Sequence, residues 1–153
     1  MVVHWSAAAG GSRVQNCQDR GAIAVIMFTD PADVAVLGTQ PEMVYPNTIF
    51  LPGSGIQRGT LFFGSGDPLS PGWPSIENAY RLTTDQVDLP KIPVQPIGYD
   101  DAKRLLKTMG GTDPPKGWKG GIVGIDYKLG DVELDEFKGW EVSVEINNYQ
   151  ASR

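Results

Sequence analysis

The chain has 153 residues, a net charge of −5 and an apolar fraction of 41%, which suits a single folded domain that buries a core without disulfides. It has no basic stripe, so nucleic acid is excluded as a partner, and no run of about 18 apolar residues predicts a membrane span. The 19 glycines and 12 prolines favour short strands and many turns over a helical bundle.

The first elements predicted along the chain are a short helix and a buried strand. Residues 12–20 fit a helix with Ser12 as its N-cap and Gly21 as its C-terminal stop. The apolar run at residues 22–28 follows at once and predicts a strand that is buried on both faces. The DPAD string at residues 30–33 predicts a turn, because proline fixes one dihedral angle and aspartate bonds nearby backbone.

The middle of the chain predicts one long loop followed by an irregular strand. Residues 40–74 are rich in glycine and proline, and only residues 48–50 and 61–63 look strand-like. A loop of this length is usually functional or disordered, and its aromatic side chains favour an ordered one. Residues 92–98 predict a short strand, which its two prolines confine to a sheet edge or an irregular position.

The last third of the chain predicts a helix and two strands. Residues 100–109 carry one apolar stripe and are followed by Gly110 and Gly111, as expected of an amphipathic helix and its stop. Residues 121–129 and 140–149 alternate well enough to be strands. The fold class is therefore α+β, with a β-sandwich or open sheet and two or more flanking helices. The predicted core includes Val25, Ile26, Met27, Leu105, Leu106, Val142, Val144 and Ile146.

The chain has few residues suited to metal or nucleophilic chemistry. Zinc sites nearly always use histidine or cysteine, and the chain has one of each, His4 and Cys17. We therefore expect the chain alone to hydrolyse no peptide, and Cys17 to be a small core residue. The glycine-rich residues 53–59 lack the spacing of a phosphate loop and predict turns. The acidic residues 131–137 predict a solvated hairpin rim rather than a calcium loop.

One loop, residues 64–74, has a composition that fixes a particular backbone path. It reads GSGDPLSPGWP and includes Asp67 and Trp73. Two interpretations stand side by side. The loop is shaped to press against a partner surface, or Trp73 pins it onto the core of its own domain.

Several strings carry a resemblance to a known family. They are SRVQN (12–16), TDPAD (29–33), QRG (57–59), GDPLSPGWPS (66–75), LPKIPVQPIGYDDAKRLL (89–106) and MGGTDPPKGWKG (109–120). Together they resemble the protease-associated (apical) domain of glutamate carboxypeptidase II and the N-acetylated-α-linked acidic dipeptidase-like zinc exopeptidases. Transferrin receptors share the GDP-x-S/T-PG and IPVQ strings, but PIGYDDA resembles the peptidase branch.

The resemblance implies a domain organisation and a setting. Residues 12–153 would form the protease-associated domain, incomplete at its N-terminus, and residues 1–11 would be an atypical segment. The domain would be a non-catalytic lid and interface module, and its partner would be a peptidase domain in cis or in trans, in a parent enzyme that forms homodimers. That enzyme would hold zinc and calcium and would be extracellular or membrane-anchored, while this chain would hold no cofactor of its own.

The resemblance also implies roles for individual residues. In the substrate pocket, Thr60 stands where the family has asparagine, Gly10 stands where it has a carboxylate-binding arginine, and Arg13 stands where it has lysine. Ser70 and Trp73 match the positions that help to hold calcium at the joint with the peptidase domain. With so few calcium ligands here, we expect the isolated chain to bind calcium weakly.

Two other functions remain open from the sequence. The chain could act as a stand-alone protein-interaction module with the same fold. It could also be a receptor-type apical domain, which the PIGYDDA string disfavours.

Overall fold

The computed structural model of the chain describes residues 2–4, 10–62 and 64–148, with side chains from Arg13 onward. Three parallel strands form the main sheet in the order β1 (Val2–His4), β2 (Val25–Phe28) and β3 (Val94–Pro96). Most of the predicted atypical segment 1–11, and the side chain of His4, lie outside the described residues.

Strand β2 is the centre of the fold, and all four of its residues are buried. Successive side chains of a strand point to opposite faces, so Val25 and Met27 lie on the same face of the sheet. There they pack against Val14 and Cys17 of helix α1 (Gly10–Asp19). Phe28 packs on the other face with helix α3 (Tyr99–Leu106). The predicted buried strand is confirmed, although it begins at Val25, and the α+β class is confirmed with an open sheet between two helices.

Helix α1 begins earlier than the sequence predicts but stops where expected. Its first residue is Gly10, so Ser12 lies inside the helix and its prediction as the N-cap is wrong. Gly21 has a φ of 84°, and its N–H donates to the Gln18 carbonyl at 2.9 Å. Ala22 donates to the Cys17 carbonyl at 3.0 Å, which completes a Schellman stop and turns the chain into the sheet.

The predicted turn at residues 30–33 is a one-turn helix, α2 (Pro31–Val34). Asp30 is its N-cap and accepts a hydrogen bond from the Ala32 N–H at 2.9 Å. Proline at the first helical position has the dihedral angle that a helix needs and loses no hydrogen bond there. The chain therefore leaves the end of β2 in a fixed direction.

Helix α3 ends three residues earlier than predicted, and Gly110 and Gly111 are not its stop. The Thr108 N–H and hydroxyl both donate to the Leu105 carbonyl, at 3.0 and 2.7 Å, and so satisfy the helix end. Strand β4 (Met109–Gly110) follows at once and pairs antiparallel with β5 (Val132–Glu133). The acidic stretch 131–137 supplies β5 and a 3₁₀ turn, Asp135–Phe137.

Of the five other predicted strands, one forms and four do not within the described residues. Residues 92–98 contain β3, which is an edge strand as expected. Residues 48–50 lie in a turn that the Tyr45 N–H closes onto the Phe50 carbonyl at 2.9 Å. Residues 61–62, 121–129 and 140–148 contain no strand, while Phe63 and Tyr149 lie outside the described residues.

The predicted core residues of β2 and α3 are mostly buried, whereas those of residues 140–148 are not. Val25, Ile26, Met27 and Leu106 are buried, whereas Leu105, Val144 and Ile146 are half-buried. Val142 is 64% exposed, so its placement in the core is wrong. Further buried apolar residues, which the predicted list did not include, are Val14, Phe28, Ala35, Val44, Val87, Tyr99, Ala102 and Ile122. No helix within the described ranges is both long and apolar enough to cross a membrane.

Candidate functional site

The loop at residues 66–75, called here the Asp67 loop, is locked by its own carboxylate. Asp67 Oδ1 accepts a hydrogen bond from the Leu69 N–H at 2.9 Å. Its Oδ2 accepts from the Ser75 hydroxyl at 2.8 Å and from the Ser70 hydroxyl at 3.1 Å. The Leu69 N–H and these hydroxyls favour the ionised form and hold the pKa of Asp67 below its usual range. The loop therefore keeps its shape without a partner.

Ser70 and Trp73 have opposite environments in this loop. Ser70 is 1% exposed, and its hydroxyl donates to Asp67. Trp73 is tied to Ser70 only through its backbone, since its N–H donates to the Ser70 carbonyl at 3.1 Å, and its residue is 74% exposed. The interpretation that Trp73 pins the loop onto its own core is therefore wrong.

Trp73 is followed in the next turn by two more exposed apolar residues. Ile76 is 62% exposed and Tyr80 is 75% exposed, and we call the three residues the Trp73 patch. The Arg81 guanidinium donates to three carbonyls of residues 76–79 at 2.9–3.3 Å, so the turn is compact. Three exposed large apolar side chains within eight residues make this turn a candidate interaction surface.

A cleft of about 480 Å³ lies beside the Asp67 loop. Gly66 and Pro68 of the loop form part of its lining, Val94 of β3 forms another part, and Thr60 lies on it as well. The structure therefore places Thr60, a predicted pocket residue, next to the loop that carries Ser70 and Trp73. None of the residues that line the cleft is charged.

Gly10 and Arg13 lie on helix α1, away from this lining. Gly10 is the first residue of the helix, and Arg13 is half-buried. Four residues separate Arg13 from Cys17, so both lie on the side of α1 that faces the sheet. Arg13 is not among the residues that line the cleft, so the structure does not bring it together with Thr60.

A second polar centre, which the sequence analysis missed, lies at the end of β2. Asp30 is 4% exposed, and its Oδ1 accepts from the Gly121 N–H at 2.6 Å in addition to its capping bond. Its Oδ2 accepts from the Tyr127 hydroxyl at 2.6 Å, and the Ile122 N–H donates to that hydroxyl at 3.0 Å. Burial, with the hydrogen bond to Asp30, raises the pKa of Tyr127 above its ordinary value. The only sequence signal for this centre is an aspartate two positions after a buried strand.

The described residues contain no group of three or more His, Cys, Asp or Glu side chains placed to hold a metal ion. Nor do Ser70 and Trp73 fit a calcium ion by themselves. Calcium takes about six to eight oxygen ligands, whereas the Ser70 hydroxyl is buried and already bonded to Asp67.

Comparison with known proteins gives close relatives over most of the chain. A glutamate carboxypeptidase 2 homologue of Caenorhabditis briggsae is 45% identical over 126 residues, 78% of this chain. The aminopeptidase NAALADL1 of Rattus norvegicus is 36% identical over 84% of the chain. Transferrin receptor protein 2 of Homo sapiens is 30% identical over 99% of it. No family model matches the chain.

The chain belongs to the family that comprises the glutamate carboxypeptidase 2 homologues, NAALADL1 and transferrin receptor 2. It spans only 16–17% of the length of these relatives. The similarity is therefore to one region of much longer proteins.

Proposed function

We propose that residues 12–153 act as the protease-associated (apical) domain of a glutamate-carboxypeptidase-like zinc metallopeptidase. The domain would be a non-catalytic module that covers the substrate pocket and forms an interface. The observation that carries this proposal is the Asp67 loop, which is rigid by itself yet holds Trp73 at 74% exposure. A loop with this construction has its binding surface formed in advance, so little conformational entropy is lost when a partner covers it.

The partner in this proposal is a peptidase domain, in cis or in trans, within a homodimeric extracellular or membrane-anchored protein. Zinc would be held by that domain, since this chain has one histidine and one cysteine. The carboxylates for calcium would also come from it, with the Asp67 loop as the facing surface. The greater identity to the glutamate carboxypeptidase 2 homologue than to transferrin receptor 2 supports the peptidase branch.

A chimera tests the interface role. The region of the Caenorhabditis briggsae homologue that matches residues 12–153 is replaced by those residues, so that the position matching Gly10 keeps the homologue's own residue, and release of glutamate from N-acetyl-aspartyl-glutamate is measured. We expect activity in the chimera and none from this chain alone with zinc. Trp73→Ser should lower the activity about tenfold or more, as loss of an aromatic anchor at an interface does.

Trp118 provides the matched control, because it is 71% exposed and lies outside the Trp73 patch. Trp118→Ser should leave the chimera as active as the parent chimera. Equal activity of the Trp73 and Trp118 variants would contradict the interface role of the loop. Glutamate release by the isolated chain above a no-protein control would contradict the non-catalytic role.

The isolated chain should bind calcium weakly, because Ser70 and a Trp73 carbonyl supply few of the oxygens that the ion needs. Calorimetric titration of the chain with calcium measures this directly. Micromolar binding that disappears in Ser70→Ala would show a self-sufficient site and would overturn the shared-site proposal.

A receptor-type apical domain is the second candidate, since the match to transferrin receptor 2 extends over 99% of the chain. A chimera that folds and assembles but gains no peptidase activity would favour this candidate. A stand-alone interaction module remains the third, and a chimera that does not assemble would favour it.

A further inference from the structure

The segment 141–148 packs against the domain, but its backbone forms no hydrogen bond to any other backbone group among the described residues. Within the same part of the chain, its one side-chain bond joins Asn147 to Glu145 at 3.1 Å. Val144 and Ile146 are half-buried while their neighbours Ser143 and Glu145 are exposed. An alternating sequence with free backbone groups has the properties of a strand that lacks its neighbour.

The outer edge of strand β3 offers the same kind of groups. The Pro93 carbonyl accepts from Val25 at 2.9 Å and the Ile97 N–H donates to Met27 at 2.8 Å, so these residues face β2. The parallel register then turns Val94 to the outer side, where its N–H and C=O have no partner among the described residues. Pro96 has no N–H, and its carbonyl accepts from the Gln95 side chain at 2.8 Å. Val94 is therefore the open position of this edge.

Both sets of free groups belong to the cleft of about 480 Å³. Val94 lies on its lining from the β3 side, and Ile146 and Asn148 lie on it from the segment. Leu61 and Ile92, which also line it, pack against the core cluster beneath the sheet. The cleft is thus lined by apolar residues of the core and by residues of β3 and of segment 141–148 whose backbone groups have no partner in the described part of the chain.

The charges in and around the cleft indicate which side chains a bound polypeptide would need. The lining carries no charged side chain, and Thr60 and Asn148 are its polar ones, so apolar or small uncharged side chains suit the inward positions of an occupant. Glu141 and Glu145 are exposed and form no ion pair within the described ranges. Alternation places both on the outward face of the segment, opposite Val144 and Ile146, so basic residues on the outward face of a paired strand would be attracted to them.

We propose that this cleft accepts one β-strand of a partner polypeptide, in which apolar residues alternate with basic ones. The strand pairs with Val94 on one side and with residues 141–148 on the other, and it extends the sheet by strand addition. Main-chain hydrogen bonds provide the affinity, and the apolar lining with the two glutamates provides the selectivity. This surface is separate from the Trp73 patch, and the proposal does not rest on the peptidase assignment.

Two synthetic peptides test the proposal on the full chain. The first is acetyl-Thr-Lys-Val-Lys-Val-Lys-Thr-amide, and the second has the same sequence with both valines N-methylated. Both have the same charge and similar apolar surface, but the second lacks two backbone donors. We expect the first peptide to slow amide hydrogen exchange about tenfold at Val94 and at residues 144–146, and the second to leave exchange unchanged.

Two variants locate the binding. Ile146→Ser should abolish the protection, because Ile146 lines the cleft. Val142→Ser should retain it, because Val142 is 64% exposed and does not line the cleft. Three outcomes would overturn the proposal: equal protection by both peptides, no protection by either, or protection without peptide in a chain that sediments as a dimer, which would make a second copy the occupant.

Discussion

Asp30→Ala is expected to lower the free energy of unfolding by about 3–5 kcal/mol, the cost of breaking a buried charged network on one side. The carboxylate of Asp30 is buried and accepts three hydrogen bonds, from Ala32, Gly121 and Tyr127. Its removal leaves the Gly121 N–H and the half-buried Tyr127 hydroxyl without the carboxylate that accepts from both. It also removes the two hydrogen bonds that tie residues 121 and 127 to the end of β2 and leaves the packing of Ile122 and its apolar neighbours there.

Urea denaturation followed by circular dichroism measures this loss, and Asp101→Ala is the matched control. The Asp101 side chain is 61% exposed and forms only a surface pair with Arg104 at 3.6 Å. Its removal should change stability by about 0.5 kcal/mol or less. If both variants unfold at the same urea concentration, Asp30 does not hold the two halves of the chain together.

Alkaline pH provides an independent test of the same network. The pKa of Tyr127 is raised in the folded state by burial and by its hydrogen bond to Asp30. Its stabilising contribution is therefore complete below the usual tyrosine pKa of about 10 and is lost as pH rises through the folded-state value. Tyr127→Phe should lose less stability than the parent between about pH 10 and 12, and its remaining loss comes from Tyr99, whose pKa is also raised by burial. Asp101→Ala should lose as much stability as the parent.

Leu106→Ala is expected to cost about 2–5 kcal/mol, as truncation of a buried leucine does. Leu106 is 8% exposed and lies in the cluster formed with Phe28, Tyr99, Ala102 and Ile122, on which the sheet rests. The neighbouring Leu105 is half-buried, so Leu105→Ala should cost less. Urea midpoints of the two variants measure the difference directly.

The exposed Val142 completes this series. Val142→Ala should shift the free energy of unfolding by about 0.5 kcal/mol or less, because Val142 is 64% exposed. The order Leu106, Leu105, Val142 follows their burial. A Val142 variant that is less stable than the Leu106 variant would mean that the C-terminal segment, not α3, closes the core.

The elements that could be predicted from the sequence are those whose pattern is local. The run of apolar residues in β2, the stripe of α3 and the glycine after α1 each determine a structure within about ten residues. Residues 140–148 alternate as regularly as any strand, yet they form none here. Alternation shows which face of a strand would be buried, but only a neighbouring backbone makes the strand, and that neighbour is not specified by local sequence.

In the candidate site, too, the features set by local sequence could be predicted and those that join distant residues could not. The stiffness of the Asp67 loop could be predicted, because glycine, proline and aspartate act on backbone within a few positions. The bond from Tyr127 to Asp30 joins residues 97 positions apart, so no spacing rule reveals it. The exposure of Trp73 could not be predicted either, because the local sequence does not determine whether its side chain packs on the core or faces solvent.

The order of pairing in the sheet has a consequence for synthesis on the ribosome. Strand β2 can pair with β1 and pack against α1 as soon as all three have been synthesised. Its other neighbour, β3, begins at Val94 and is synthesised much later. At about 5–20 residues per second, translation from Phe28 to Val94 takes about 3–13 s. Throughout that interval the apolar edge of β2 is open on the nascent chain. Chaperones that bind exposed strands would have their best opportunity there, and slower translation of residues 29–93 would lengthen the time in which aggregation competes with folding.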